Sequence, residues 1–156
     1  MKEAKQMSFM ARAMELAKQA ADAGEVPVGA VVVDPSSGQI VGEGCNGPIE
    51  GHDPTAHAEI VAIRAACASV ENYRLPEFEL YVTLEPCVMC SGAISFARLG
   101  KVVFAAEDIK GGAIKNGPKF FEQPTCHWRP EWEQDLDCAE EAGQLLKDFF
   151  KSRRKK

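Results

Sequence analysis

Residues 80–106 read LYVTLEPCVMCSGAISFARLGKVVFAA, from Leu80 to Ala106. Leu80 to Leu84 is an apolar, β-branched run of strand length, and Lys101 to Ala106 is a second. Between them Pro86 occupies a helix-start position, and an apolar segment continues to Leu99, where Gly100 predicts the stop. A strand, a helix and a strand joined this closely form a crossover unit, whose strands lie parallel.

The pattern extends in both directions. Upstream, Ser8 is placed to cap a helix over Phe9–Ala23 that Gly24 ends, with Phe9, Ala13, Leu16 and Ala20 on one face. Gly29 to Asp34, the turn residues Pro35-Ser36-Ser37-Gly38 and then Gln39 to Gly44 predict a hairpin. Asp53-Pro54-Thr55 opens a further helix reaching about Val70, which gives a second crossover. Downstream, residues 107–130 are rich in glycine and proline and predict a long surface loop with a short helical turn; loops of that length in a compact domain are usually functional. Trp132-Glu133-Gln134, following Pro130, makes a poorly written strand. A last helix covers about Cys138 to Arg153. Strands alternating with helices imply a sheet covered on both faces, an α/β fold of three layers.

Composition limits the function classes. A chain of 156 residues that is 46% hydrophobic and 26% charged predicts one folded domain spanning residues 1–156 and excludes a disordered or fibrous chain. The longest apolar run, Val26 to Val33, is interrupted by Pro27 and Gly29 and is too short for a membrane span. Residues 1–24 mix Lys, Glu and Asp with apolar positions, unlike a secretory signal, so a soluble, cytoplasmic protein is expected. Six cysteines without an export signal then point to metal binding or burial rather than a disulfide scaffold. The net charge of −5 opposes a broadly basic surface, yet six of the eighteen basic residues fall within Lys147–Lys156. The ordinary reading of such a run is a solvated helix end.

Cys87 and Cys90, at i and i+3, share a helix face, so both sulfurs can reach one ion. A helix N-terminus favours the thiolates that zinc requires. A lone C-x-x-C also suits a redox pair, but His57 at a second helix start supplies a third ligand. Taken alone, His57 reads as a capping or core histidine and Glu59 as a first-turn glutamate favoured by the helix dipole. One His and two Cys leave tetrahedral zinc an open position, as catalytic sites do. Cys45, Cys126 and His127 are candidates to close the site, which would make it structural. Cys67 and Cys138 suit buried small hydrophobes, and Trp128 and Trp132 suit packing or base stacking.

His57-Ala58-Glu59 with Pro86-Cys87-Val88-Met89-Cys90 resembles the H-x-E and P-C-x-x-C signature of zinc-dependent nucleobase deaminases, the cytidine deaminase superfamily. Glu25 to Val33, Asp53 to Ile60, Asn72-Tyr73-Arg74-Leu75, Tyr81 to Cys87 and Asp148-Phe149-Phe150 with Arg153-Arg154 are similar to the bacterial tRNA adenosine deaminases, the TadA family. The resemblance is dense from about residue 9 to 108 and returns in the last helix. It fails between about Ile109 and Leu136, the region that in the family lies beside the substrate.

The resemblance implies a cytidine-deaminase-like three-layer α/β/α sandwich with a mixed central sheet of about five strands. It implies Zn2+ on His57, Cys87 and Cys90, with Glu59 carrying protons between water, ring and departing ammonia. It assigns Asn46 and the backbone at Ala58 and Pro86 to the base and its leaving group, and Asp108 to the nucleic acid. Turn chemistry beside Gly47-Pro48 explains Asn46 equally well, and a solvated loop acid explains Asp108. The implied reaction is adenosine to inosine at the wobble position of a tRNA anticodon loop. The alternatives are deamination of a free base or nucleoside such as guanine or cytosine, and a non-enzymatic zinc-stabilised module. A homodimer is implied as well, with Met89, Ile94 and Phe96 offering apolar surface for it.

Overall fold

The computed structural model describes the backbone of residues 2–154 and the side chains of residues 9–153. The strands are β1 (Gly29–Asp34), β2 (Gln39–Cys45), β3 (Glu79–Leu84), β4 (Lys101–Ala106) and β5 (Glu131–Gln134). They form one five-stranded sheet in the order β2-β1-β3-β4-β5. The β1–β2 hairpin and the β1–β3 pair are antiparallel, while β3–β4 and β4–β5 are parallel. The expected three-layer arrangement with a mixed sheet is therefore present.

Two apolar clusters, one on each face, account for the layers. Alternate residues of β1 divide between them: Ala30 and Val32 face one, Val31 and Val33 the other, as the period of two requires. The first cluster takes Ala58, Ala62 and Ala66 from α3 (Ala58–Val70) and Ile94 and Ala97 from α4 (Val88–Ala97). The second takes Met10, Ala13 and Leu16 from α1 (Lys2–Asp22) and Ala142 from α5 (Leu136–Arg154). Alanines on α3 let it lie almost on the backbone of β2. A Cβ on Gly44 would stand 2.5 Å from the Ala58 carbonyl oxygen, so the glycine is required by the close approach. That approach sets where α3 begins.

Several boundaries differ from expectation. Ser8 lies inside α1, which starts at Lys2; the segment before it contains Lys, Glu, Ala and Gln, all good helix formers. Gly24 ends the helix as expected, with φ of 84°. α3 starts at Ala58 rather than at Asp53, because the Asp53 carboxylate accepts hydrogen bonds from the Thr55 amide and hydroxyl, at 2.9 and 2.7 Å. That local turn competes with helix. A short helix α2 (Pro48–Gly51) precedes it, where the sequence predicted only a turn. β5 forms despite its poor pattern: it pairs with β4, and Trp132 stacks on Phe104 with ring centroids 5.7 Å apart. The connection over residues 107–130 is irregular apart from a 3-10 turn at Phe120–Glu122.

All six cysteines are free. Cys67 and Cys138 are half-buried against the two clusters rather than enclosed, whereas Cys126 is buried. Trp128 donates its indole N–H to the Leu99 carbonyl at 2.8 Å, and Trp132, stacked on Phe104, stays 40% exposed. No helix among the described residues is long and apolar enough to cross a membrane.

Candidate active site

His57 and Cys87 are the N-cap residues of α3 and α4. Both have extended backbone, which turns their side chains away from the helix axes and toward each other. Cys90 follows one turn into α4 and is fully buried. The His57 Nδ1 lies 3.6 Å from Cys87 Sγ and 3.5 Å from Cys90 Sγ, and the three ligand atoms fall within 4.8 Å of one another. Zinc bonds of about 2.3 Å to sulfur and about 2.0–2.1 Å to nitrogen, at tetrahedral angles, set a nitrogen–sulfur separation of about 3.6 Å. The donor set and its nitrogen–sulfur spacing fit zinc.

Among the described residues no further His, Cys or carboxylate joins this cluster. Cys126, a candidate to close the site, instead contacts the Ser95 hydroxyl and the Trp128 carbonyl, at 3.7 and 3.1 Å. Cys45 packs against the opposite apolar cluster. The three-ligand arrangement leaves one tetrahedral position for a non-protein ligand.

Two parallel-type connections explain the convergence. β3 runs into Pro86-Cys87, and α3 starts beneath β2, so both helix N-termini open at one end of the sheet. A cavity of about 470 Å³ lies there, and its walls include Asn46, His57, Glu59, Cys87 and Asp108. That volume suits a single base or nucleoside. Ala58 and Pro86 are buried and border the site through their backbone. The Ala58 amide donates to Asn46 Oδ1 at 2.7 Å, and the Pro86 carbonyl accepts from the Ala113 amide at 2.9 Å. The hydrogen bond from Ala58 ties Asn46 to the first residue of α3. Asp108 is in a turn of its own, accepting from the Gly111 amide at 2.9 Å, and also reaches the cavity wall.

Glu59 is 4% exposed and shares the cavity with the ligand triad. Burial pushes its carboxyl up to about 7, and a bound dication would act in the opposite direction. The hydrogen bond from Cys90, outweighing burial, brings the Cys87 thiol down to about 5 and raises that of Cys90. Zinc binding would require both thiols as thiolates.

Two parts of the cavity carry no role assigned from the sequence. Gly143, Leu146, Lys147 and Phe150 line it from α5, a stripe at helical spacing. Glu85, 2% exposed, lines it next to the zinc-ligand segment; no periodicity marks an acidic residue as buried. The basic tail also differs from a freely solvated run. Arg153 donates to the Gly24 carbonyl at 2.8 Å and so closes the C-terminus of α1, while Lys155 and Lys156 lie outside the described residues.

The model of the cytidine and deoxycytidylate deaminase zinc-binding region matches residues 3–106. The chain is 44% identical to the tRNA-specific adenosine deaminase of Agrobacterium fabrum over 151 residues, 97% of each protein. A solved structure from work on A-to-I editing by tRNA:A34 deaminases at the wobble position superposes with a TM-score of 0.86 at 45% identity, covering 90% of this chain and 99% of that one. The guanine deaminase of Bacillus subtilis superposes less well, with a TM-score of 0.62 at 34% identity over 91% of this chain and 93% of that one.

Proposed function

The chain belongs to the cytidine and deoxycytidylate deaminase family, and from that premise we propose that it is a zinc-dependent tRNA adenosine deaminase producing inosine at the wobble position. The observation that carries the chemistry is the convergence of His57, Cys87 and Cys90, with buried Glu59 on the same cavity. The greater similarity to tRNA-specific relatives than to the guanine deaminase supports the substrate.

His57, Cys87 and Cys90 would hold the ion. Zinc in such a site lowers the pKa of a bound water from about 15.7 toward about 7. Glu59 would take a proton from the water as its oxygen adds to C6 of adenine and pass it to N1, then carry the C6 hydroxyl proton to the amine as the C6–N bond breaks, giving the C6 carbonyl and ammonia. The Ala58 amide orients Asn46 by occupying its oxygen, which leaves the Asn46 NH2 to donate to the base. Asp108, on the rim, faces the flanking nucleotides. A base in an anticodon loop is already single-stranded, so it can enter the cavity without opening a duplex.

A cytoplasmic location accompanies a tRNA substrate. A homodimer is part of the same proposal. Ile94 is fully buried and so offers it no surface, whereas Phe96 is 84% exposed with Tyr73 and Val88 also outward. Sedimentation at micromolar concentration should give twice the monomer mass, and a monomer would count against it. Ammonia release measured side by side on tRNA and on free guanine tests the substrate: turnover on tRNA alone is expected, and turnover on guanine alone would replace this reading.

A further inference from the structure

Glu85 is a carboxylate taken almost wholly out of water, at 2% exposed, and burying such a group requires full satisfaction of its oxygens. Its partners are four backbone amides and one side-chain amide rather than a cation. Oε1 accepts from the Asp108 amide at 3.0 Å and from Asn116 Nδ2 at 2.7 Å. Oε2 accepts from the amides of Ile114, Lys115 and Asn116, at 3.1, 2.8 and 3.0 Å. A Cβ on Gly112 would stand 2.6 Å from Oε2, so the chain can wrap this closely only with glycine there.

The loop held in this way is the one that carries the cavity rim. Asp108, Ile109 and Lys110 line the mouth, yet Ile109 is 74% exposed and contributes little packing to hold the rim in place. The Lys115 ammonium is turned outward to Glu107 and Gln134, at 2.7 and 2.9 Å. On its other side Glu85 adjoins Pro86-Cys87, and its amide donates to the Ala106 carbonyl at 2.8 Å. One side chain therefore joins the zinc-ligand segment to the rim that flanking nucleotides meet.

We propose that Glu85 is a positioning residue for polynucleotide substrate, fixing the 108–116 rim relative to the zinc ligands through its ring of amide donors. The proposal rests on the deaminase reading above and adds a residue to it. Every partner is a donor, so Glu85→Gln sets an NH2 against N–H groups and breaks one side of the ring.

The test uses the zinc-loaded full chain with a tRNA substrate. For Glu85→Gln, KM is expected to rise at least tenfold while kcat falls less than threefold, with one zinc per chain retained. Hydrogen exchange at the amides of residues 114–116 should quicken at least tenfold. Asn116→Ala removes one donor only and serves if Glu85→Gln fails to fold; its KM should rise about two- to tenfold. Wild-type KM in these variants, unchanged amide protection, or a fall in kcat that tracks zinc loss would each overturn the proposal. Wild-type protein that leaves tRNA adenosine unconverted would instead fail the substrate reading, which separates the two.

Discussion

The Asn46 Oδ1 accepts the Ala58 amide at 2.7 Å, across the gap between the end of β2 and the first turn of α3. Because the partner is a donor, the amide orientation follows: oxygen to Ala58, NH2 available to the cavity. Asn46→Asp keeps the acceptor and loses that donor. It should retain fold and zinc while kcat/KM on tRNA falls about tenfold or more, the cost of leaving a base acceptor facing a carboxylate. Steady-state kinetics with zinc analysis checks this, and unchanged kcat/KM would remove Asn46 from base recognition.

One zinc per chain is expected, since the described residues offer one three-ligand cluster. His57→Ala and Cys87→Ala should lose it, as should treatment with a strong chelator, with activity lost in proportion. Elemental analysis reads the stoichiometry; zinc retained in Cys87→Ala would contradict the ligand assignment.

Glu59→Gln preserves the shape of a side chain that is 4% exposed and removes its ability to carry a proton. Turnover should fall by about 10²–10⁴ with zinc retained and little change in melting temperature. Near-normal turnover would show that another group moves the proton.

Much of this fold was legible because its central elements are strongly patterned. The β3–α4–β4 crossover has apolar strands, Pro86 at the helix entry and a bounded apolar helix, and its parallel pairing followed. The candidate ligands were legible from the joint occurrence of His57 and Cys87-x-x-Cys90 at two helix starts, since the cysteine spacing alone also suits a redox pair. What was not legible depends on partners distant in sequence. β5 is a strand because β4 and Phe104 lie beside it, and nothing within Trp132-Glu133-Gln134 says so. Glu85 is satisfied by amides 23 to 31 residues away, and the α5 stripe faces the cavity only because the helix packs across β4.

The Arg12 guanidinium supplies a pH dependence away from the metal. It donates to both Glu43 oxygens, at 2.6 and 2.9 Å, and that hydrogen bond holds the Glu43 carboxyl below its ordinary 4.5. A carboxyl depressed by folding contributes stability above its unfolded pKa and loses it as pH falls through the folded one. The melting temperature of Glu43→Gln should therefore lie below wild type at pH 7, and the gap should close as pH drops below about 4.5. The pair is partly exposed, so the gap should be small and should narrow with salt. A gap constant down to pH 3 would contradict the assignment.

Positive charge at the cavity mouth comes from Lys110 and Lys147, while Arg153 is committed to the Gly24 carbonyl. Lys110→Ala with Lys147→Ala should weaken tRNA binding and make its log–log salt dependence shallower, by roughly 0.7 for each phosphate that is no longer neutralised. Binding titrations at several salt concentrations read this directly. An unchanged slope would place the phosphate-binding cations elsewhere.

The proposed reaction is wobble-adenosine deamination by the His57, Cys87, Cys90 and Glu59 site. Its most direct test is to incubate the zinc-loaded protein with a tRNA bearing adenosine at the first anticodon position and to map inosine in the product. Inosine at that position alone, with none formed by Glu59→Gln, is the predicted result. No inosine in tRNA, together with efficient ammonia release from free guanine, would contradict the claim.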